Sequence, residues 1–291
     1  MTALTLGKFE SLHRGHQQLI ASVVKLAAEN NLDAAAVAFD PHPRRVLYDP
    51  SYRPLLSTEE RAYVLQKLGI GKFVSYPFDA LFAKQAPEAF CARLFDELQA
   101  KILVVGEGYR FGHNRAGTVS LIQELAKPHG IQIQVCKHAL DGQKKISTAD
   151  IRAHIAAGSL TEANALLGFP FFIMGTVAHG KKIGHVLGFP TVNIQTAADK
   201  FLPTDGVYAT TTHVGNTPLK SVTNIGVRPS VGIGNSRTVE TFLLDFDGDL
   251  YGKTLRTEFF HFMRPERRFE NMDALRAQIS IDAGDRQCLP M

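Results

Sequence analysis

With 291 residues, the chain is long enough for two ordinary domains that each bury a core of their own. A hydrophobic content of 45% and a charged content of 21% are typical of a soluble globular protein. The net charge of +4, from 32 basic and 28 acidic residues, is too mild to indicate a nucleic-acid partner, although it slightly favours anionic metabolites.

No apolar run approaches the length of a membrane span, and residues 1–7 lack the basic start and apolar core of a signal peptide. The three cysteines, Cys91, Cys136 and Cys288, lie far apart, with no second Cys or His at the spacing of a metal site. An odd number of cysteines without such a framework favours reduced thiols over disulfides. We therefore predict a cytoplasmic protein with no membrane partner and no nucleic-acid partner.

The first half of the chain alternates segments of strand-like and helix-like pattern. The apolar pattern predicts strands at 3–6, 34–39, 72–76, 102–105 and 131–135. Helical spacing predicts helices at 15–30, 57–68, 87–100 and 118–126. This order predicts an α/β fold with an open, mostly parallel sheet and helices on both faces.

Two histidines follow the first predicted strand, where a turn runs into a helix. His13 and His16 are three residues apart, with Gly15 between them. Ligands of open α/β sheets bind beyond the carboxyl ends of the strands, and a helix N-terminus favours phosphate. The pair therefore predicts a phosphate site, whereas a single histidine would more often be a satisfied polar residue.

Residues 175–193 hold four glycines, two lysines and a Pro-Thr-x-Asn tail. Such glycines indicate a loop whose backbone comes close to a bulky group, and exposed N–H groups beside Lys181 and Lys182 would suit phosphate oxygens. Thr191 and Asn193 share one face of an extended segment, and their neutral oxygens suit Mg²⁺ bound to phosphates. A Gly-rich hairpin with a polar edge would show the same spacing.

The second half is rich in β-forming residues with turns between them, which predicts an antiparallel barrel closed by a helix at 269–285. A short helix at 159–167 would join the two domains. In residues 238–242, alternation places Thr238, Glu240 and Phe242 on one face, which we expect inside the barrel. A carboxylate there indicates chemistry, whereas an edge-strand glutamate facing water would be the structural alternative.

The run Gly180-x3-Gly184-x2-Leu-Gly188-Phe-Pro-Thr191-x-Asn193 resembles the signature of riboflavin kinases, and six further motifs follow in their order up to Arg264-x-Glu-x2-Phe269. The resemblance covers 168–291 and implies a riboflavin kinase domain there. It implies that Glu240 is the base that takes the proton of the ribityl 5′-hydroxyl as the γ-phosphoryl group of ATP arrives. The other implied contacts are ATP phosphates at Gly180, Lys182, Gly184 and Gly188, Mg²⁺ at Thr191 and Asn193, and flavin at Asn224 and Arg264. From the residues alone, Arg264 could equally contact ATP or be a surface arginine.

The first half resembles the adenylyltransferase half of prokaryotic bifunctional FAD synthases, a Rossmann-like nucleotidyltransferase fold, over residues 1–167. His13-x-Gly-His16, Phe39-Asp-Pro-His42-Pro43 and Ser147-Thr148-x2-Ile-Arg152 carry this resemblance. It implies catalytic His13 and His16, flavin contact at His42, and ATP phosphates held by Ser147, Thr148 and Arg152. Riboflavin, FMN and ATP would be the partners, with Mg²⁺ as the cofactor.

The adenylyltransferase motifs also contain departures from the family pattern, namely Glu10, Ser11, Gly108, Ala149 and Asp150. A carboxylate at Asp150, next to a polyphosphate site, would repel its ligand. Three functions therefore compete. They are a bifunctional enzyme that makes FMN and then FAD, a riboflavin kinase with a degenerate first domain, and a non-catalytic flavin- or nucleotide-binding regulator. The sequence does not indicate rates, binding order, reversibility, transfer of FMN between sites, or oligomeric state.

Overall fold

The structure is a computed structural model, and it describes residues 1–137, 140–141, 144–179, 188–227 and 237–290. The chain divides into two compact units, Met1–Thr148 and Ala149–Met291. We describe each unit separately.

The first unit is built on a five-stranded sheet in which every neighbouring pair is parallel, with the order β3-β2-β1-β4-β5. Its strands are β1 (Thr2–Leu6), β2 (Asp33–Asp40), β3 (Lys72–Pro77), β4 (Ala100–Gly106) and β5 (Gln132–Cys136). Its helices are α1 (Arg14–Glu29), α2 (Pro43–Leu47), α3 (Thr58–Lys67), α4 (Pro87–Leu98) and α5 (Val119–Ala126). The predicted parallel sheet is confirmed.

The central strands are apolar along their whole length because both of their faces are covered. All five residues of β1 are buried, and Ala35, Ala36, Val37 and Ala38 of β2 are fully buried. Strands that are buried on both faces lose the apolar-polar alternation of a half-exposed strand. A small pair of strands, β6 (Leu140–Asp141) and β7 (Lys144–Lys145), lies outside this sheet.

The second unit is a closed barrel with the strand order β10-β11-β12-β9-β8-β13, and its neighbouring strands are antiparallel. Its strands are β8 (Phe172–Ala178), β9 (Thr191–Thr196), β10 (Gly206–Val214), β11 (Thr217–Val227), β12 (Arg237–Leu243) and β13 (Thr254–Arg264). Its helices are α6, which begins in the first unit (Thr148–Ala156), α7 (Leu160–Leu167) and α8 (Met272–Cys288). This confirms the predicted barrel and its closing helix.

A chain of six hydroxyl groups crosses the inside of this barrel. All six residues are completely buried, and consecutive oxygens lie 2.8–3.0 Å apart in the order Thr257, Thr212, Ser221, Thr210, Thr223 and Thr241. A hydroxyl can both donate and accept, so neighbouring hydroxyls of the chain can satisfy one another without water. We call this set the hydroxyl chain.

The guanidinium of Arg286, on α8, fastens the closing helix to the barrel. It is fully buried, and its Nε donates to the carbonyl oxygen of Thr210 at 2.8 Å while a terminal nitrogen donates to Oγ1 of Thr211 at 3.0 Å. Burial lowers the pKa of Arg286 from its usual value. These hydrogen bonds replace the water that the guanidinium loses on burial.

Candidate active sites

His13 and His16 lie stacked on each other in the turn that follows β1 and at the start of α1. His13 is the N-cap of α1, and its Nδ1 accepts a hydrogen bond from the backbone N–H of Gly15 at 3.2 Å. The ring centroids of His13 and His16 lie 3.9 Å apart, and the Phe9 ring packs edge-on against the His16 ring. Because Nδ1 of His13 is an acceptor, the proton of its neutral ring lies on Nε2.

The strand order gives this turn its place in the fold. The order of the sheet reverses at β1, between β2 and β4, and the residues after β1 therefore lie at the topological switch point. Open α/β sheets bind their ligands in the crevice outside the carboxyl ends at such a point. The predicted phosphate site at His13 and His16 coincides with this position.

Glu10 lies in the same turn and is buried against residues that follow β2. Its Oε1 accepts a hydrogen bond from the hydroxyl of Tyr52 at 2.6 Å, and its Oε2 lies 3.4 Å from Nε2 of His42. The backbone oxygen of Glu10 accepts a hydrogen bond from the N–H of Leu56 at 3.1 Å. Sequence reasoning named Glu10 only as a departure from the family pattern and gave no partner for it.

His42, expected to contact a flavin, is itself buried. Its Nδ1 accepts a hydrogen bond from the N–H of Arg44 at 3.1 Å and so caps α2. The proton of the neutral ring is therefore on Nε2, which faces Glu10. Both nitrogens of His42 thus face protein groups, and flavin contact at this residue stays a prediction.

The residues of the motif Ser147-Thr148-x2-Ile-Arg152 have different neighbours. The hydroxyl of Thr148, the first residue of α6, lies 2.9 Å from the hydroxyl of Ser11 in the turn after β1. Ser147 precedes this helix directly. The guanidinium of Arg152 lies 4.4 Å from the ring centroid of Phe201, in the second unit. Thr148 therefore contacts the turn that carries the histidines, and Arg152 packs on an aromatic ring.

Asp150 and Ala149 belong to the first turn of α6. A carboxylate is favoured at that place by the dipole of its own helix, which gives Asp150 a structural role that spacing alone did not indicate. Ala149 is exposed, and Gly108 lies in the turn after β4. These three departures are therefore compatible with the fold around them.

A group of aromatic rings at the carboxyl ends of β2 and β3 was not singled out from the sequence. Phe39 lies within 5.7–6.4 Å, centroid to centroid, of Phe78, Phe82 and Phe90. Beside this group lies an open surface depression of about 450 Å³, which is lined by Pro77, Asp79, Leu81, Phe82, Lys84, Gln85 and Arg93. These phenylalanines are spread over fifty residues of sequence, so no local spacing could have revealed their proximity.

In the second unit, three predicted site residues stand in one row across neighbouring strands. Asn224 of β11 pairs with Glu240 of β12, and Glu240 pairs with Asn193 of β9. Directly opposed residues of antiparallel strands point to the same face and lie about 4.5–5.5 Å apart. The register therefore brings a carboxylate between two carboxamides, and we call these three residues the amide-carboxylate row.

The face on which this row lies differs from our expectation. Along β12 the buried residues are Val239, Thr241 and Leu243, and Thr241 belongs to the hydroxyl chain inside the barrel. Glu240 and Phe242 therefore lie on the outer face, so the prediction that they face the inside was wrong. A carboxylate inside the barrel would lose its hydration, whereas a hydroxyl can be satisfied by its neighbours.

Thr191 and Gly188 lie beside the amide-carboxylate row. Thr191 is opposite Phe242 in the register, and it shares the outer face with Asn193. Gly188 has a φ of +83°, a conformation that residues with a Cβ rarely adopt. Among the described residues, no atom lies within 4 Å of a Cβ placed there, so the backbone conformation is what favours glycine at 188. The predicted phosphate contacts at Gly180, Lys182 and Gly184 lie outside the described residues.

Arg264 is held by the closing helix α8. Its Nε and one terminal nitrogen donate to the two carboxylate oxygens of Asp282, at 3.0 and 2.7 Å. Asn224 donates from Nδ2 to Oε1 of Glu266 at 3.3 Å. The two residues predicted to bind flavin thus have protein partners of their own, and their contact with flavin stays a prediction.

The donor set for a divalent cation fits a phosphate-bound ion better than a protein-only site. Among the described residues, no group of three or more His, Cys, Asp or Glu side chains could hold a metal. Thr191 and Asn193 supply a hydroxyl and a carboxamide oxygen two residues apart on one strand face. Such neutral ligands suit a cation whose remaining ligands are phosphate oxygens and water.

Two family models match the chain in its two halves. The model described as FAD synthetase matches residues 1–150, and the model described as riboflavin kinase matches residues 167–288. The bifunctional riboflavin kinase/FMN adenylyltransferase of Listeria monocytogenes is 31% identical, over 97% of this chain and 90% of that protein. The protein of the same name from Escherichia coli K12 is 34% identical, over 96% of this chain and 90% of that protein.

A crystal structure from Streptococcus pneumoniae, named as a macrolide-efflux protein, matches with a TM-score of 0.85 and 26% identity. The match covers 99% of the present chain and 95% of the chain in that crystal structure. None of the helices in the described part of the present chain is long and apolar enough to cross a membrane.

The matched family models and the name of the curated relatives all describe transferases, so the chain is a transferase in two parts. The chain belongs to the bifunctional riboflavin kinase/FMN adenylyltransferase family.

Proposed function

We propose that the chain phosphorylates riboflavin with ATP to form FMN and then adenylylates FMN with a second ATP to form FAD. The kinase domain would comprise residues 168–291 and the adenylyltransferase domain residues 1–167. The observation that carries the proposal is the amide-carboxylate row in the half that matches riboflavin kinase, together with the stacked His13 and His16 in the half that matches FAD synthetase.

In the kinase half, Glu240 is the base. Its carboxylate orients the ribityl 5′-hydroxyl of riboflavin and takes its proton as that oxygen bonds to the γ-phosphorus of ATP and ADP leaves. Asn193 and Thr191, beside it on the same face, hold the Mg²⁺ and phosphate oxygens. The bound Mg²⁺ supplies positive charge to the phosphoryl oxygens. Phosphoryl transfer depends mainly on positioning and charge stabilisation, which this row of fixed side chains provides.

The backbone N–H groups of the glycine-rich loop, with Gly180, Lys182, Gly184 and Gly188, cradle the phosphates of ATP in the kinase half. Asn224 and Arg264 lie near the flavin. The hydrogen bonds to Asp282 of α8 fix the guanidinium of Arg264 in place. The part of the guanidinium that Asp282 does not cover contacts the flavin.

In the adenylyltransferase half, a phosphate oxygen of FMN attacks the α-phosphorus of ATP and pyrophosphate leaves. His13 and His16 donate hydrogen bonds to the phosphate oxygens on which charge develops. Ser147 and Thr148, at the start of α6, bind the phosphates of ATP, and Arg152 assists from the same helix. The aromatic group around Phe39 and the adjoining surface depression suit the apolar isoalloxazine ring of FMN, with His42 ordering the loop after β2.

Two other functions fit these residues and the family less well. A riboflavin kinase with an inactive first domain is favoured by the departures at Glu10, Ser11, Gly108, Ala149 and Asp150. A non-catalytic flavin- or nucleotide-binding regulator would need neither a metal site nor a base, so Thr191, Asn193 and Glu240 speak against it. The contacts of Glu10 and Ser11, and the place of Asp150 in the first turn of α6, favour the bifunctional enzyme over the inactive domain.

We also propose that the protein works in the cytoplasm, with riboflavin, FMN and ATP as its partners and without nucleic acid or membrane. The three cysteines are free thiols. Burial raises the pKa of Cys91 to about 12, so this thiol stays protonated and unreactive at neutral pH. Reduced cysteines are typical of the cytoplasm.

The proposal is tested by incubating the full chain with riboflavin, ATP and Mg²⁺ and separating the flavins by chromatography. FMN should appear first and FAD should follow. FMN without FAD would support the kinase with an inactive first domain, and neither product would support the regulator.

A further inference from the structure

We propose that Glu10 is a positioning residue for adenylyl transfer. Its carboxylate, anchored on Tyr52 and His42, fixes the turn that presents His13 and His16 to the phosphates. This inference rests on the proposed adenylyl transfer, and it concerns a residue that sequence comparison marks only as a departure.

The turn after β1 is held in an unfavourable backbone conformation. Phe9 has a φ of +46° and Leu12 a φ of +47°, on either side of Glu10 and Ser11. Bulky residues rarely adopt a positive φ, and such a conformation persists only where the surroundings impose it. The turn that carries His13 therefore needs anchors from outside itself.

Glu10 provides two of these anchors, and both lead to the segment that follows β2. Its carboxylate oxygens meet the Tyr52 hydroxyl at 2.6 Å and Nε2 of His42 at 3.4 Å. Glu10, Tyr52 and His42 are each at most 8% exposed, so water does not compete for these contacts. Ser11 adds a contact with Thr148 at 2.9 Å.

The two partners of Glu10 are fixed in their turn. Nδ1 of His42 caps α2 through the N–H of Arg44, so the proton of the neutral ring is on Nε2, the atom that lies 3.4 Å from Oε2 of Glu10. The guanidinium of Arg44 lies 4.6 Å from the centroid of the Tyr52 ring, and the His42 ring lies 5.0 Å from it. The anchor of Glu10 is therefore a packed cluster, not a mobile surface group.

The length of the side chain matters in this arrangement. An aspartate at position 10 would be one methylene shorter, and without a backbone shift it could not reach both Tyr52 and His42. Because the carboxylate of Glu10 faces protein groups, we assign it no contact with substrate. Its loss should disturb the placement of His13 and His16 and leave the substrate-binding surfaces largely in place.

The test measures the kinetics of FAD formation from added FMN and ATP, and of FMN formation from riboflavin, in full-length Glu10→Gln and Tyr52→Phe. We expect kcat for FAD formation to fall about tenfold to hundredfold, as for loss of a hydrogen bond to a charged group. The KM for FMN and for ATP should stay within about threefold of the parent value, and FMN formation should not change. Glu29→Gln, on the exposed end of α1, and Tyr48→Phe are the matched controls.

Coupling between the two variants separates positioning from a general structural effect. If the hydroxyl of Tyr52 acts only through Glu10, the double variant Glu10→Gln, Tyr52→Phe should be no slower than Glu10→Gln alone. Glu10→Asp should lie between the parent and Glu10→Gln. Should Glu10→Gln fail to fold, Tyr52→Phe removes a single hydroxyl and still decides the question.

Variants that keep the parental kcat for FAD formation would overturn the inference, and so would variants that change only the KM for FMN. Additive losses in the double variant would also contradict it. A parent chain that forms FMN but no FAD would contradict the proposed adenylyl transfer itself, a failure that is visible before any variant is made.

Discussion

Glu240 differs from the other carboxylates of the barrel because the strand register places a carboxamide on each side of it. Asn224 and Asn193 lie directly opposite it on the neighbouring strands. Carboxamides can orient a substrate or ligate a cation, but neither accepts a proton at neutral pH. The chemistry of the row therefore depends on this one side chain.

We expect Glu240→Gln to lower the rate of FMN formation about a hundredfold to ten-thousandfold, since one positioned base typically contributes that much. The amide keeps the shape of the side chain but cannot take the proton of the hydroxyl. Steady-state assays of FMN formation check this, with FAD formation from added FMN as the internal reference. Glu270→Gln, at an exposed site of the same unit, is the control. Near-parental turnover of Glu240→Gln would remove this residue from the mechanism.

Thr191 and Asn193 belong to a different part of the same chemistry. We expect Thr191→Ala and Asn193→Ala each to raise the Mg²⁺ concentration needed for half-maximal FMN formation and to lower kcat. Riboflavin affinity, measured by quenching of flavin fluorescence, should change less, because we propose that both residues bind the metal and the phosphates and not the flavin. A variant that loses riboflavin affinity and keeps its Mg²⁺ response would refute the assignment.

Among the structural elements, the strands of the barrel show how far alternation can be used for prediction. Alternation correctly divided β12 into two faces, with Glu240 and Phe242 on one and Val239 and Thr241 on the other. It could not tell which face is inside, because both carry a threonine. The deciding contacts are hydroxyl pairs between strands, such as Thr223 with Thr241, and these are not local in sequence.

The hydroxyl chain leads to a prediction about stability. We expect Thr223→Val to lower the free energy of unfolding by about 1–3 kcal/mol, because buried Thr210 and Thr241 each lose a hydroxyl partner. Valine has nearly the same shape, so lost packing contributes little. Urea denaturation followed by circular dichroism checks this, with the exposed Thr254→Val as the control. Equal midpoints for Thr223→Val and the parent would contradict the prediction.

Helices show a similar division between what the sequence predicts and what it does not. Long periodic segments such as α1 and α4 lie close to their predicted bounds, because an apolar stripe at helical spacing is a local property. Helix α6 was not predicted, since its first residues were interpreted as a phosphate motif and nine residues give little periodicity. The anchors of Glu10 could not be predicted either, because Tyr52 is 42 residues away in sequence.

At the scale of the whole molecule, the chain carries two sets of site residues in two compact units. The His13 and His16 pair belongs to Met1–Thr148, and the amide-carboxylate row belongs to Ala149–Met291. Each half matches its own family model. We therefore expect that a substitution in one unit can abolish FMN formation or FAD formation without abolishing the other reaction.

His16→Ala should lower FAD formation about a hundredfold to thousandfold, as does the loss of one donor that stabilises developing charge, and should leave FMN formation unchanged. Glu240→Gln should lower FMN formation and leave FAD formation from added FMN unchanged. The half-buried His154, on α6, gives the matched control, His154→Ala.

In the most direct measurement, riboflavin, ATP and Mg²⁺ are added to His16→Ala alone, to Glu240→Gln alone and to an equal mixture of these two variants. FMN and FAD are then followed by chromatography. We expect that His16→Ala stops at FMN, that Glu240→Gln leaves riboflavin unconverted, and that the mixture makes FAD. If His16→Ala abolished FMN formation as well, or if Glu240→Gln could not make FAD from added FMN, the claim of two separate sites on one chain would be contradicted.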